Sequence, residues 1–198
     1  MTRGRPQEFD REDALERAMN LFWSCGYEAT GMQALTEHMG ISRQSLYNTF
    51  GDKQSLLLQA IEYYDKFLFK KWREMLLTPG SPLKGLKVLL QFMEVYATSK
   101  QFRGCLFANT TLELSHREHE VKELLKKKAV KSDRLIENTL KNAVQKGELV
   151  ESVNTRALAR FIMNNLRGLM VTAKGGATKT EIKDIISILQ KHIEQFAV

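Results

Sequence analysis

Residues 26–53 read Gly26-Tyr27-Glu28-Ala29-Thr30-Gly31-Met32-Gln33-Ala34-Leu35-Thr36-Glu37-His38-Met39-Gly40-Ile41-Ser42-Arg43-Gln44-Ser45-Leu46-Tyr47-Asn48-Thr49-Phe50-Gly51-Asp52-Lys53. Thr30, with Gln33 three positions on, has the spacing of a capping box and predicts a short helix that ends at Gly40, with Leu35 and Met39 pointing inward. Met39-Gly40-Ile41-Ser42 is then a tight turn, and its glycine suits a backbone conformation that a side chain disfavours. Ser42 caps a second short helix, with Leu46 inward and a stop near Phe50 and Gly51. Two short helices joined by a glycine-containing turn have the layout of a helix-turn-helix, whose second helix enters the DNA major groove. The outward face of that second helix is Ser42, Arg43, Gln44, Ser45, Tyr47 and Asn48. Arg, Gln and Asn make paired hydrogen bonds to base edges, while short hydroxyls and a tyrosine suit phosphates. A solvated polar face satisfies the same composition.

Working outward, helical patterns continue on both sides. Asp10 caps a first helix with Glu12 and Asp13 in its first turn, then Leu15, Ala18, Met19 and Phe22 at helical spacing, and Gly26 stops it. Asp52 caps a fourth helix that runs through Leu56, Leu57, Ala60, Ile61, Tyr64 and Phe67 to about Leu77. Pro79-Gly80-Ser81-Pro82 is the clearest break. Helices are expected beyond it at about 83–100, 104–114, 118–147, 155–174 and 178–196, the last two opened by Asn154 and Thr178. With three prolines and no hairpin punctuation, the expected fold is all-α. About nine helices form an N-terminal three-helix helix-turn-helix head, residues 1–53, on a larger helical body, residues 54–198.

Composition sets the outer bounds. The chain has 198 residues, 43% hydrophobic and 27% charged, enough apolar material for a substantial core. No stretch approaches the roughly 18 apolar residues of a membrane span, since Phe161 to Val171 is cut by Asn164, Asn165 and Arg167. No secretory signal is read in the first ten residues, so a cytoplasmic location is expected, with Cys25 and Cys105 as free thiols. The net charge is +7, yet residues 1–53 hold six Lys/Arg against eight Asp/Glu. The surplus of base lies in residues 54–198, so net charge alone carries no DNA argument. Lys126, Lys127, Lys128 and Lys131 read as a solvated helix face.

Phe9 to Ala60 resembles the DNA-binding head of the TetR family of bacterial transcriptional repressors. The likeness rests on Gly26-Tyr27-Glu28-Ala29-Thr30, Gly40-Ile41-Ser42, and Leu46-Tyr47 with Phe50 and Lys53 at the expected spacing. Thr36 departs from it, since a small alanine is commoner four residues before the turn glycine. The resemblance implies DNA contacts from Thr30, Ser42, Arg43, Gln44, Ser45, Tyr47, Asn48 and Lys53. Arg3 and Arg5, in a basic N-terminal arm, are candidates for a flanking minor groove or the backbone. It also implies a body that binds an inducer and dimerises.

The last two helices carry more apolar surface than one buried face requires. Leu158, Ile162, Leu166 and Leu169, with Ile182, Ile186, Leu189 and Ile193, are therefore expected to form a four-helix dimer interface, with core packing inside one chain as the alternative. Two heads on a two-fold axis would read a pseudo-palindromic operator in double-stranded DNA. An apolar or amphipathic inducer is expected among Tyr63, Phe67, Phe92, Tyr96, Leu106, Asn109 and Phe161, although aromatic core explains each residue singly.

Other classes find less support. There is no glycine-rich phosphate loop, no G-x-S-x-G and no H-E-x-x-H, so no enzyme and no cofactor is expected. Glu113, His116, Glu118, His119 and Glu120 form the one metal-like constellation, which polar residues at a helix junction explain as well. Cys105, close to Arg103, could sense oxidants, against a buried bystander thiol. The remaining rival is a helical adaptor that binds protein only.

Overall fold

A computed structural model describes residues 9–77 and 80–198. These residues form nine helices: α1 Arg11–Cys25, α2 Met32–Met39, α3 Arg43–Phe50, α4 Lys53–Leu77, α5 Pro82–Ala97, α6 Leu106–Leu114, α7 His119–Gln145, α8 Thr155–Lys174 and α9 Lys179–Glu194. The all-α expectation holds. The only extended pairing among the described residues is an isolated bridge between Leu149 and Ala197. No helix among them is long and apolar enough to cross a membrane.

Most helix ends follow local chemistry. The Asp10 carboxylate accepts from the backbone N–H groups of Glu12 and Asp13, and Gly26 ends α1 at φ 83°. Asp52 accepts from Ser55 N–H at 2.8 Å and so opens α4. Asn154 caps α8, and Thr178 with Glu181 forms a complete capping box on α9. One expected cap is not formed. Gly31, not Thr30, is the N-cap residue of α2 and makes no side-chain cap. Thr30 is buried, and its hydroxyl donates to the Gly26 carbonyl, so the end of α1 captures the group that the Thr30/Gln33 spacing assigns to α2.

Two apolar clusters form the core. One, under the head, joins Leu15 and Phe22 of α1, Leu35 of α2 and Leu46 of α3 to Leu56 and Ile61 of α4, and is completed from the body by Leu106, Leu114, Val121 and Leu125. The other fills the body between the second half of α4 (Trp72, Leu76) and helices α5, α7, α8 and α9. α4 belongs to both and ties head to body. At its far end the contact is backbone on backbone. Gly85 of α5 lies so close to α4 that a Cβ there would sit 2.3 Å from the Leu76 carbonyl oxygen.

The body core overturns one expectation. Leu158, Ile162, Leu166 and Leu169 of α8, and Ile182, Ile186, Leu189 and Ile193 of α9, are all buried within the single chain. They face α5 and α7, and are not available to a second copy. The apolar side chains left outside on these helices are Phe161, Val171 and Ile188.

Between α4 and α7 lies a buried charged cluster. The Lys128 ammonium contacts Glu62 and lies 3.1 Å from Asp65, which Lys131 also reaches at 2.7 Å. Lys128 is therefore part of the interior, unlike its exposed neighbours Lys126 and Lys127. That corrects the reading of the whole lysine run as a solvated face.

Candidate nucleic-acid interface and effector cavity

The head presents α3 as an outer helix. Leu46 and Phe50 are buried beneath it, and helical periodicity then turns Ser42, Arg43, Gln44, Tyr47 and Asn48 outward, all exposed. Ser45 is half-buried. The Ser42 hydroxyl accepts from Ser45 N–H at 3.0 Å and lies 2.9 Å from its hydroxyl, so the cap fixes where the recognition face begins. The turn before it needs its glycine: Gly40 sits at φ 70°, and its N–H accounts for the last carbonyls of α2. The Arg43 guanidinium lies 5.8 Å from the centre of the Tyr47 ring. Such a contact leaves the guanidinium edge, which carries the donors, open to an outside acceptor.

Lys53, the first residue of α4, holds its ammonium 4.2 Å from the centre of the Tyr27 ring. A cation at a helix N-terminus opposes the dipole, and here the aromatic face compensates. Thr30 does not join this surface: it is buried, with its hydroxyl engaged, so the expected phosphate contact from its side chain is withdrawn. Arg3 and Arg5 lie outside the described residues.

Among the polar ties between head and body is one carboxylate. Glu113 of α6 accepts from Tyr27 N–H at 3.0 Å and Glu28 N–H at 2.8 Å, in the α1–α2 turn. Gly26 makes room for it, since a Cβ there would lie 3.1 Å from both carboxylate oxygens. Nearby, Trp23 of α1 donates its indole N–H to the Gly104 carbonyl, and Arg103 packs over the Trp23 ring while donating to Asn20. Glu113 thus has a structural occupation apart from metal binding. No group of three His, Cys, Asp or Glu among the described residues is placed to hold a metal ion.

Behind α6 lies a cavity of about 330 Å³. Its walls come from α4 (Leu68, Trp72), α5 (Met93), α6 (Phe107, Ala108, Thr111), α7 (Leu125, Ala129, Ser132) and α8 (Met163, Leu166, Arg167). None of the seven expected ligand residues lines it. Leu106 is core, and Tyr96 donates its hydroxyl to the Gly104 carbonyl while stacking on Phe92. Asn109 donates to the Arg103 carbonyl, and Tyr63 bonds Glu16 on the surface. Phe67 and Phe161 are exposed. The expected residues thus lie on other faces than this cavity, whose place is set by where packing leaves a gap. Small side chains at Ala108, Ala129 and Ser132 were the signal within the sequence.

Cys105 lies in the cavity wall at the N-terminus of α6. Burial pushes its thiol up, against the opposing pull of the Ala108 and Phe107 backbone N–H groups and the Arg167 charge. A raised thiol is a poor thiolate, which favours the bystander over the oxidant sensor.

Comparison with known proteins fixes the wider assignment. Residues 14–60 match the family described as bacterial regulatory proteins, tetR family, and residues 82–189 match the tetracyclin repressor-like C-terminal domain. The chain is 30% identical to the HTH-type transcriptional repressor ComR of Escherichia coli K12 over 186 residues, 93% of this chain and 89% of that protein. The chain belongs to the TetR family. It is also 29% identical to the HTH-type transcriptional regulator YezE of Bacillus subtilis, over 93% of this chain and 96% of the relative. A cysteine-substituted form of the TetR family regulator CifR, solved with a 26-base-pair double-strand operator DNA, superposes with a TM-score of 0.86 at 32% identity. That superposition covers 95% of this chain and 98% of CifR. As a TetR family member the chain is a helix-turn-helix transcriptional regulator, and the protein-only adaptor is set aside. The two matched spans meet the structure sensibly: the TetR head match runs from α1 into the first turns of α4, and the C-terminal match takes in α5 to α8 and most of α9.

Proposed function

We propose that the chain acts as a homodimer whose two α3 helices enter successive major grooves of a pseudo-palindromic operator, and that a small apolar or amphipathic inducer in the cavity behind α6 releases it. The observation that carries this reading is the split of α3 into two faces. Leu46 and Phe50 lock it to the head, while Arg43, Gln44, Tyr47 and Asn48 stand exposed on its outer side, Arg43 against the Tyr47 ring. Arg43, Gln44 and Asn48 are assigned to base edges, and Ser42, Ser45, Tyr47 and Lys53 to phosphates.

Dimerisation is assigned to the outer faces of α8 and α9. Phe161, Val171 and Ile188 leave large apolar groups in solvent there, and Phe161 packs on His192, joining the two helices at that point. Release by the inducer follows from position: α6 lines the cavity with Phe107, Ala108 and Thr111, and holds the head with Glu113. A ligand acts by favouring the arrangement of α6 that spaces the heads wrongly for DNA.

Selection of bound sequences from random duplex DNA with the purified protein tests the reading. Enrichment of an inverted repeat is expected, with half-sites about one helical turn or a multiple apart. Recovery of unenriched sequence would remove it.

A further inference from the structure

Towards the far end of α4, its outer face and that of α7 leave a groove of about 670 Å³ between them. On α7 the wall is a stripe at helical spacing, in which Lys127, Val130, Lys131 and Arg134 recur every three or four residues. α4 contributes Phe69, Arg73, Leu76 and Leu77. Five cations border the groove, Arg73, Lys126, Lys127, Lys131 and Arg134, against one carboxylate, Glu123. Lys131 is committed to Asp65 and lies over the Phe69 ring, and Lys126 stands 4.0 Å from Glu123. Arg73, Lys127 and Arg134 make no ion pair among the described residues, and all three are exposed. Leu77 and Val130 leave apolar surface open beside them.

Unpaired cations beside exposed apolar surface are complementary to one kind of occupant, negative at its head and apolar behind it. Operator DNA is not that occupant. Phe69 lies more than four turns along α4 from Lys53, about 24 Å, so a duplex held at α3 is beyond the reach of these side chains. The groove is also separate from the cavity behind α6, which takes Leu125, Ala129 and Ser132 from the opposite face of α7 and shares no lining residue with it. We propose that the groove is a second ligand site, for a small amphipathic anion. Arg73, Lys127 and Arg134 receive its acidic head, and its chain lies on Phe69, Leu77 and Val130. The volume is that of a small-molecule site. This assignment stands independently of the inducer reading.

Isothermal calorimetry on the full chain with octanoate, octan-1-ol and acetate tests it. Octanoate is expected to bind about tenfold more tightly than octan-1-ol, the worth of two or three partly exposed ion pairs, and to lose that advantage as salt is raised. Acetate, with no chain to bury, is expected not to bind at the same concentration. Arg73→Glu with Arg134→Glu, both at exposed positions, should erase the octanoate advantage and leave octan-1-ol unchanged. Ala108→Phe, which fills the cavity behind α6, should retain it. Equal binding of octanoate and octan-1-ol overturns the proposal, as does a preference that survives the double substitution. A preference lost in Ala108→Phe places the anion behind α6 and overturns it too. Acetate binding as tightly as octanoate reduces the groove to a plain ion site. If octanoate does not bind while polyglutamate does, and the double substitution abolishes that, the groove belongs to an acidic protein surface and the proposal fails. Should either altered chain not fold, Lys127→Glu, also exposed, decides: loss of the preference supports the groove and its retention overturns it.

Discussion

Arg43 and Lys53 each hold a cation against a tyrosine ring, but they stand in different places and should fail differently. Arg43 is in the first turn of the exposed helix. Arg43→Ala is expected to cost about 1–3 kcal/mol on the preferred operator and to relax base preference at one position, read by repeating the sequence selection. Lys53→Ala is expected to weaken all sequences alike and to lower the slope of log affinity against log salt by about one, read by titrations over a salt series. Inside the body, Lys128 carries a different prediction. Burial acts to lower its pKa, but the Glu62 and Asp65 carboxylates outweigh that and hold it above the ordinary 10.5. A raised cation stabilises the fold fully below its unfolded pKa, and that contribution is lost as pH rises through the folded value. Chemical denaturation should accordingly show stability declining above about pH 10.5, a decline missing in Lys128→Met. That variant should itself be about 3 kcal/mol less stable at neutral pH, because it leaves buried Asp65 with Lys131 alone. Nothing in the local sequence separates Lys128 from Lys127. Only the packing of α7 on α4 does.

At the scale of elements, α6 matters most, since one side borders the cavity and the other grips the α1–α2 turn. Glu113→Ala leaves the Tyr27 and Glu28 N–H groups without their acceptor. Because Glu28 is exposed and water can substitute, the expected loss is about 1 kcal/mol in urea unfolding. Faster hydrogen exchange at those two amides, with exchange in α8 and α9 unchanged, is the more specific readout. Helix ends were largely legible beforehand, because Asp10, Ser42, Asp52, Asn154 and Thr178 cap through bonds to residues two or three positions away. Thr30 departs from its expected role because two local partners compete for it: it sits between two helices, and its hydroxyl bonds back to the Gly26 carbonyl, four residues earlier, and not forward to α2. The residues of the exposed α3 face were legible because turn, cap and inward Leu46 fix the phase of a short helix. The cavity is not, since its walls come from five helices whose faces meet only after folding.

For the whole molecule, the proposed dimer interface is the feature that the sequence suggests but does not place. The apolar excess of α8 and α9 is evident, yet the single chain buries Leu158, Ile162, Leu166 and Leu169 with Ile182, Ile186, Leu189 and Ile193 in its own core and leaves Phe161, Val171 and Ile188 outside. Ile188→Lys is expected to convert dimer to monomer in sedimentation equilibrium, with the helical signal retained, since Ile188 is 65% exposed and contributes little to the monomer. Operator affinity should drop sharply with it, as one head then binds without the other. A dimer surviving Ile188→Lys and Phe161→Lys together would move the interface elsewhere.

Gly85 gives the molecule a fixed pivot. The backbone of α5 bears directly on the Leu76 carbonyl, with no side chain between to yield, so the far end of α4 is seated firmly while its near end carries Lys53 and the head. Over 25 residues α4 is a lever arm about 37 Å long, and a tilt of only about 5° about that seat swings its tip by roughly 3 Å. In the proposed dimer, doubled across the two-fold axis, a displacement that small would be comparable to two base-pair steps, enough to put the two heads out of phase with the duplex.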